Sequence, residues 1–142
     1  MVVDSRPLQC VVVTPEKAVL DEAADFVALP MYDGELGVLP GRAPLIGRLG
    51  YGELRTRRGG NVHRYYVDGD FAQVRNNVVT VLTPRAIRAE DINTGEAQRA
   101  LEAALAPGRT PEAQAGQLKA QERARAQLRV AQHRGAAAAA HA

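Results

Sequence analysis

Between Leu8 and about Ala89, short β-branched stretches follow one another with Gly, Pro, Asn or Asp between them; beyond Ile87 the apolar residues shift to a spacing of three and four. That punctuation predicts strands over residues 8–14, 17–20, 25–30, 37–39, 52–57, 62–67, 71–75 and 78–83. Three turns stand between extended runs, at Arg58-Gly59-Gly60-Asn61, Asp68-Gly69 and Asn76-Asn77, all residue types that tolerate positive φ. With no helical pattern between the strands, the expectation is an N-terminal antiparallel β-sandwich built from consecutive hairpins, not a βαβ arrangement.

The second part of the chain reads as a two-helix antiparallel hairpin. Ala97, Ala100, Leu101, Ala104 and Leu105 share one face, Asn93 with Glu96 forms a capping box, and Pro107-Gly108 stops the helix. Thr110 then offers an N-cap, with Pro111 at the first helical position and Glu112 beside it, and a second helix continues to about Arg134, before Gly135. Its apolar stripe of Ala113, Ala120, Ala124, Leu128 and Ala131 is narrow, and Gly116 within it costs about 1 kcal/mol relative to alanine. Such an arm is expected to be marginal alone and able to detach. The boundaries drawn are 1–89 for the sandwich, 90–135 for the hairpin and 136–142 for a disordered alanine-rich tail containing His141.

A formal charge of +2 hides an asymmetry, because residues 109–142 carry +4 and residues 1–108 carry −2. The basic end calls for an acidic partner. Aromatic residues make up 4% of the chain and none lies among those arginines, so the stacking platforms of single-strand nucleic-acid binders are missing. An acidic protein surface fits better.

Chemistry is largely excluded. Cys10 is the only cysteine and sits in an apolar run, which reads as a small buried hydrophobe and not a reactive thiol. His63, His133 and His141 are scattered, with no HxxxH or HExxH pair, so no metal site is expected. No GxSxG, GxxxxGK[ST] or GxGxxG motif occurs, so no catalytic residue, bound nucleotide or cofactor is expected. Asp21, Glu22 and Asp25 read as solvated loop charges. The N-terminus lacks a signal-type apolar region and no stretch approaches the roughly 18 apolar residues of a membrane span, so any membrane association is expected to be peripheral.

Residues 31–54 stand apart, reading MYDGELGVLPGRAPLIGRLGYGEL, with glycines at 34, 37, 41, 47, 50 and 52 and prolines at 40 and 44. Glycines permit corners and close backbone approach while prolines withhold an N–H, a composition that suits an interaction edge more than a phosphate cradle. The order Gly34-Glu35-Leu36-Gly37, Pro40-Gly41-Arg42-Ala43-Pro44-Leu45, Gly52-Glu53-Leu54-Arg55 resembles the epsilon subunits of F-type ATP synthases, with their GELG and PGHAPL. Further on, the stretch from Val67-Asp68-Gly69 to Val74, Asn77-Val78-Val79-Thr80-Val81-Leu82, Arg85-Ala86-Ile87-Arg88 and Ala126-Gln127-Leu128-Arg129-Val130 are similar to later parts of that family in the same order.

The resemblance implies a non-catalytic rotor subunit. Its sandwich would stand at the foot of the central stalk against the gamma subunit and the c-ring, passing proton-driven rotation to the alpha/beta catalytic head. The implied location is the cytoplasmic face of a bacterial plasma membrane, held there through the complex. Its hairpin would fold against the sandwich or extend along gamma and oppose ATP hydrolysis. The residues implied at the ring and gamma are Asp33, Gly34, Glu35, Leu36, Gly37, Arg42 and Pro44; those implied against an acidic segment of beta are Lys119, Arg123, Arg125 and Arg129. Two positions depart from the family: Arg42 replaces its histidine with a permanent cation, and Ile92-Asn93-Thr94-Gly95-Glu96-Ala97 lacks the aspartate and arginine of I/L-D-x-x-R-A, so ATP binding is expected to be weak or absent. The competing readings are an adenine-nucleotide sensor and an unrelated β-sandwich adaptor that clamps an acidic partner.

Overall fold

Alternation of apolar and polar residues over five to seven positions, broken by turns, produces strands β1 (Leu8–Val13), β2 (Ala18–Ala24), β3 (Phe26–Met31), β4 (Gly34–Val38) and β7 (Val78–Leu82). Two longer strands, β5 (Leu45–Arg58) and β6 (Asn61–Arg75), and a short β8 (Ala86–Arg88) complete the sheet. The computed structural model of the chain describes residues 6–108 and 110–134; the expected tail 136–142 lies outside them, as do Arg109 and Gly135.

The strands are hydrogen-bonded in the order β2-β1-β7-β6-β5-β3-β4, with β8 beside β6. One set of side chains, among them Leu8, Val12, Val27, Leu29, Leu54, Val67, Val74 and Val81, gathers from strands all along this path into a single core. The path therefore folds over on itself as a sandwich. The β5–β6 hairpin joins the layers: near the Gly59-Gly60 turn it lies between β3 and β8, and at its other end residues 71–75 of β6 pair with β7.

Three details differ from the sequence reading. The sheet is mixed, because β1 runs parallel to β7; this pairing joins residues about seventy positions apart and is set by burial of Cys10, Val12, Val79 and Val81, not by a turn. Asp68-Gly69 does not close a hairpin. Gly69 and Asp70 have φ of 80° and 81°, yet β6 continues through them with its register against β5 unbroken, Leu49 facing Asp70 and Tyr51 facing Asp68. Positive φ here coils a long strand as it passes from one layer to the other, and the residue types that allow this are those of a turn. Third, β5 starts at Leu45 instead of Gly52 and β4 at Gly34 instead of Gly37, so glycines 47, 50 and 52 lie inside a strand. The acidic residues read as loop charges are also tied down: Asp21 and Glu22 belong to β2, Glu22 accepts from Thr56 Oγ1 at 3.1 Å, and Asp25 accepts from the Gly59 N–H at 2.7 Å.

A 3-10 turn (Ala89–Asp91) leads into α1 (Thr94–Ala104) and α2 (Pro111–Gln132). Both expected N-caps form: Asn93 accepts from the Glu96 N–H at 3.0 Å and Thr110 from the Ala113 N–H at 3.1 Å. The carbonyls left open at the end of α1 and in its loop are met by glutamines spaced along α2, with Gln121 donating to Ala104 O at 2.9 Å, Gln117 to Ala106 O and Gln114 to Gly108 O at 3.3 Å. This polar clasp sets the antiparallel hairpin. Toward the sandwich, Ala126, Val130 and Ala131 of α2 pack with Tyr66, Ala89 and Ile92, flanked by Tyr51 and Ile87. Of the stripe read from sequence, Ala124 and Ala131 are buried and Ala113 is exposed, while Ala126 and Val130 carry the contact with the sheet.

Candidate functional site

The glycine-rich edge begins with a tight turn in which Met31 pairs with Gly34 across Tyr32-Asp33, and Gly34 takes a φ of 135° that few other residues adopt. Asp33, Gly34 and Glu35 are exposed, and β5 begins beyond the end of β3. The result is a groove of about 580 Å³ lined by Asp33, Gly34, Glu35 and Leu36 on one side and Leu45, Ile46 and Arg48 on the other. Gly37, also expected at this edge, is exposed on β4 but does not line the groove, and a Cβ there would meet the Phe26 ring at 3.0 Å. Arg42 and Pro44 sit on the exposed loop between β4 and β5, which is pinned where the Gly41 N–H donates to Asn77 Oδ1 at 2.8 Å.

Sequence reasoning did not single out the apolar part of this edge. Ile46 is 73% exposed and Tyr32 68%, with Leu39 also in solvent, and Arg48 stacks over the Tyr32 ring at 4.4 Å. Exposed bulky apolar side chains beside charges are the mark of a surface that binds another molecule. Their signal in the sequence, apolar residues next to glycines, also fits an ordinary buried strand.

The basic residues of α2 divide into two groups. Lys119, Arg125 and Arg129 are exposed and line a cleft of about 670 Å³ together with Tyr32, Arg48 and Asp70. Arg123 points to the sheet, 3.2 Å from Asp68 Oδ1 and 5.1 Å from the centroid of the Tyr51 ring. Asp68 also accepts from the Tyr66 hydroxyl at 2.6 Å. Burial, and then that hydrogen bond to a carboxylate, push the Tyr66 hydroxyl well above its ordinary range, so it remains a donor. At the far end of α2, His133 Nδ1 meets Glu53 Oε1 at 2.9 Å.

Burial, with Glu22 and Asp21 nearby, pushes the Cys10 thiol up to about 12, which leaves it protonated and unreactive at neutral pH. Burial likewise raises Tyr65 to about 12, with Glu22 the next cause. Among the described residues no group of three or more His, Cys, Asp or Glu is placed to hold a metal ion, and no helix is long and apolar enough to cross a membrane. What the surfaces can do is bind: an apolar groove edged with charge on the sandwich, and a cationic face on the docked helix.

Comparison with known proteins points the same way. The family model for the ATP synthase, Delta/Epsilon chain, beta-sandwich domain matches residues 7–89. A Rhodopirellula baltica protein named ATP synthase epsilon chain is 56% identical over 123 residues, 86% of this chain and 96% of that one. A Nitratidesulfovibrio vulgaris protein of the same name is 43% identical over 95 residues, 67% of this chain and 71% of that one. Among solved structures, a chain in the Euglena gracilis mitochondrial ATP synthase assembly of OSCP, F1 and c-ring superposes with a TM-score of 0.80 at 26% identity, covering 90% of this chain and 82% of its own. A chain from the central stalk and c-ring of the Tetrahymena thermophila mitochondrial ATP synthase shares the fold, with a TM-score of 0.68 at 12% identity over 91% of this chain and 99% of its own.

Proposed function

Because the chain belongs to the epsilon-chain family of the F-type ATP synthases, we propose that it is a non-catalytic central-stalk subunit whose sandwich couples ring rotation to the catalytic head and whose hairpin restrains ATP hydrolysis. The observation that carries this reading is end-to-end likeness: the identity to an epsilon chain extends through 96% of that relative, helices included. The sandwich stands against gamma and the c-ring, with Asp33, Gly34, Glu35 and Leu36 at the groove and Arg42 and Pro44 on the neighbouring loop meeting them. Exposed Ile46 and Tyr32 add the apolar area that a lasting interface needs. The protein is held peripherally at the cytoplasmic face of a bacterial plasma membrane through these partners.

The hairpin supports a second part of the proposal. Docked, α2 keeps Arg123 occupied by Asp68 and leaves Lys119, Arg125 and Arg129 in solvent. Released, it presents all four cations to an acidic segment of the beta subunit and opposes hydrolysis there. Two such packings of an amphipathic helix pair differ by only a few kcal/mol, on the order of what a partner surface supplies.

Removing residues 91–142 tests both parts within the assembled complex. The truncated chain is expected to co-purify with gamma and the c-ring and to raise ATP hydrolysis by the complex. Absence of gamma from the purified material would overturn the stalk assignment; retained gamma with unchanged hydrolysis would remove the restraint alone.

A further inference from the structure

Glu53, in the middle of β5 and with a side chain only 13% exposed, serves three bases at once. Its Oε1 takes His133 Nδ1 at 2.9 Å and lies 3.4 Å from Arg64 Nε, while its Oε2 accepts from Arg55 Nη1 at 3.2 Å. The other terminal nitrogen of Arg55, Nη2, donates to Glu35 Oε1, also at 3.2 Å. An unbroken line of polar contacts thus runs from Glu35 on β4, through Arg55 and Glu53 on β5, to His133 at the C-terminal cap of α2.

We propose that this line couples the glycine-rich edge to the docked helix, so that a cation engaging Glu35 from outside loosens the C-terminal end of α2. The reason is competition for a carboxylate. Arg55 divides its guanidinium between Glu35 and Glu53, and its planar fork suits two such partners. When Glu35 turns to an outside cation, Arg55 leans wholly on Glu53. The Glu53 oxygens then answer two permanent cations and hold His133 less well. The remaining ties at that end are the Val130 and Ala131 packing and an Arg134 contact to the Glu90 carbonyl at 3.5 Å.

Coupling of this kind is reciprocal. A docked helix draws part of Glu53 to His133, which leaves Arg55 freer to hold Glu35 and makes Glu35 less available outside. The edge and the hairpin are therefore expected to disfavour each other: the chain gripped at Glu35 is the chain more ready to release α2.

The coupling is a property of the chain alone; only the source of the outside cation, a ring or stalk surface, rests on the function proposed above. Hydrogen exchange of the full chain tests it, read at the amides of residues 126–132, with the amides of β1 and β7 reporting that the sandwich stays folded. Glu35→Gln is expected to speed exchange at the end of α2 about two- to fivefold, the range of exposed ion pairs, and to leave β1 and β7 unchanged. With Arg55→Gln or His133→Ala already in place, Glu35→Gln is expected to add nothing. Unaltered exchange in Glu35→Gln, or the same acceleration in those two backgrounds, would overturn the coupling without touching the stalk assignment, which co-purification with gamma decides.

Discussion

The sandwich and the hairpin are both closed by apolar contact, but on different terms. In the sandwich, leucines and valines from strands distant in sequence are buried together with the Tyr65 ring, so no strand leaves without exposing the whole core. The hairpin rests on the sheet through one valine and two alanines against Tyr66, Ala89 and Ile92, and is steered by polar ties at Arg123 and His133. Small residues give little burial per contact, and exposed ion pairs contribute about 1 kcal/mol or less each. The sandwich is thus held by much more burial than the docked hairpin, and the difference lies in residue size more than in the number of elements.

The largest expected effect lies in the sandwich. Leu54→Ala leaves a cavity in the core and is expected to lower stability by about 3 kcal/mol, read as a shift in the urea midpoint, with protection lost in sandwich and hairpin together. Sandwich protection that survived while only the helices loosened would break the comparison. Val130→Asp sets a carboxylate against Tyr66 and Ile92 and is expected to weaken docking by about 2 kcal/mol. Faster exchange confined to α2 is the predicted pattern; collapse of β1 and β7 protection would show that the two regions are one cooperative unit.

The third prediction sharpens the contrast through pH. The Cys10 thiol is raised from 9.0 to about 12 in the fold, so the unfolded chain loses its proton first. Its contribution to stability is complete below pH 9 and falls by about 1.4 kcal/mol per unit as pH rises toward 12. Tyr65, raised from 10.0 to about 12, adds to the loss above pH 10. Denaturation between pH 8 and 10 is expected to show this decline, and Cys10→Ala to flatten it. A decline that persists unchanged in Cys10→Ala would place the sensitive group elsewhere.

The strands, turns and caps that depend on neighbouring residues were legible in the sequence. Asn76 and Asn77 do turn β6 into β7, Asn93 and Thr110 do cap their helices, and Cys10 is buried. Asp68-Gly69 was misread because positive φ serves a hairpin and a coiled strand alike, and only the partner strand distinguishes them. Of the residues expected at the edge, Asp33 to Leu36 share a groove; of the cations expected against the beta subunit, Arg123 pairs with Asp68 on the sheet. Glu53 and Arg55 were read only as part of a motif, and Ile46 and Tyr32 went unmarked, since their significance lies in what stands across from them. Gln114, Gln117 and Gln121 carry a readable helical spacing, but their acceptors belong to the preceding helix and its loop.

By itself, then, the sequence determined that a β region precedes a helical pair, where the Gly59-Gly60 and Asn76-Asn77 turns and both helix N-caps fall, and which family the order of glycines and prolines resembles. These follow from backbone preferences acting over a few residues. Tertiary structure alone decided that β1 runs beside β7 in parallel, that β5 and β6 pass between layers, and that α2 lies on the sheet through Val130 with Glu53 joining it to Glu35. Those choices depend on burial and charge shared between residues up to eighty positions apart, where no local preference reaches.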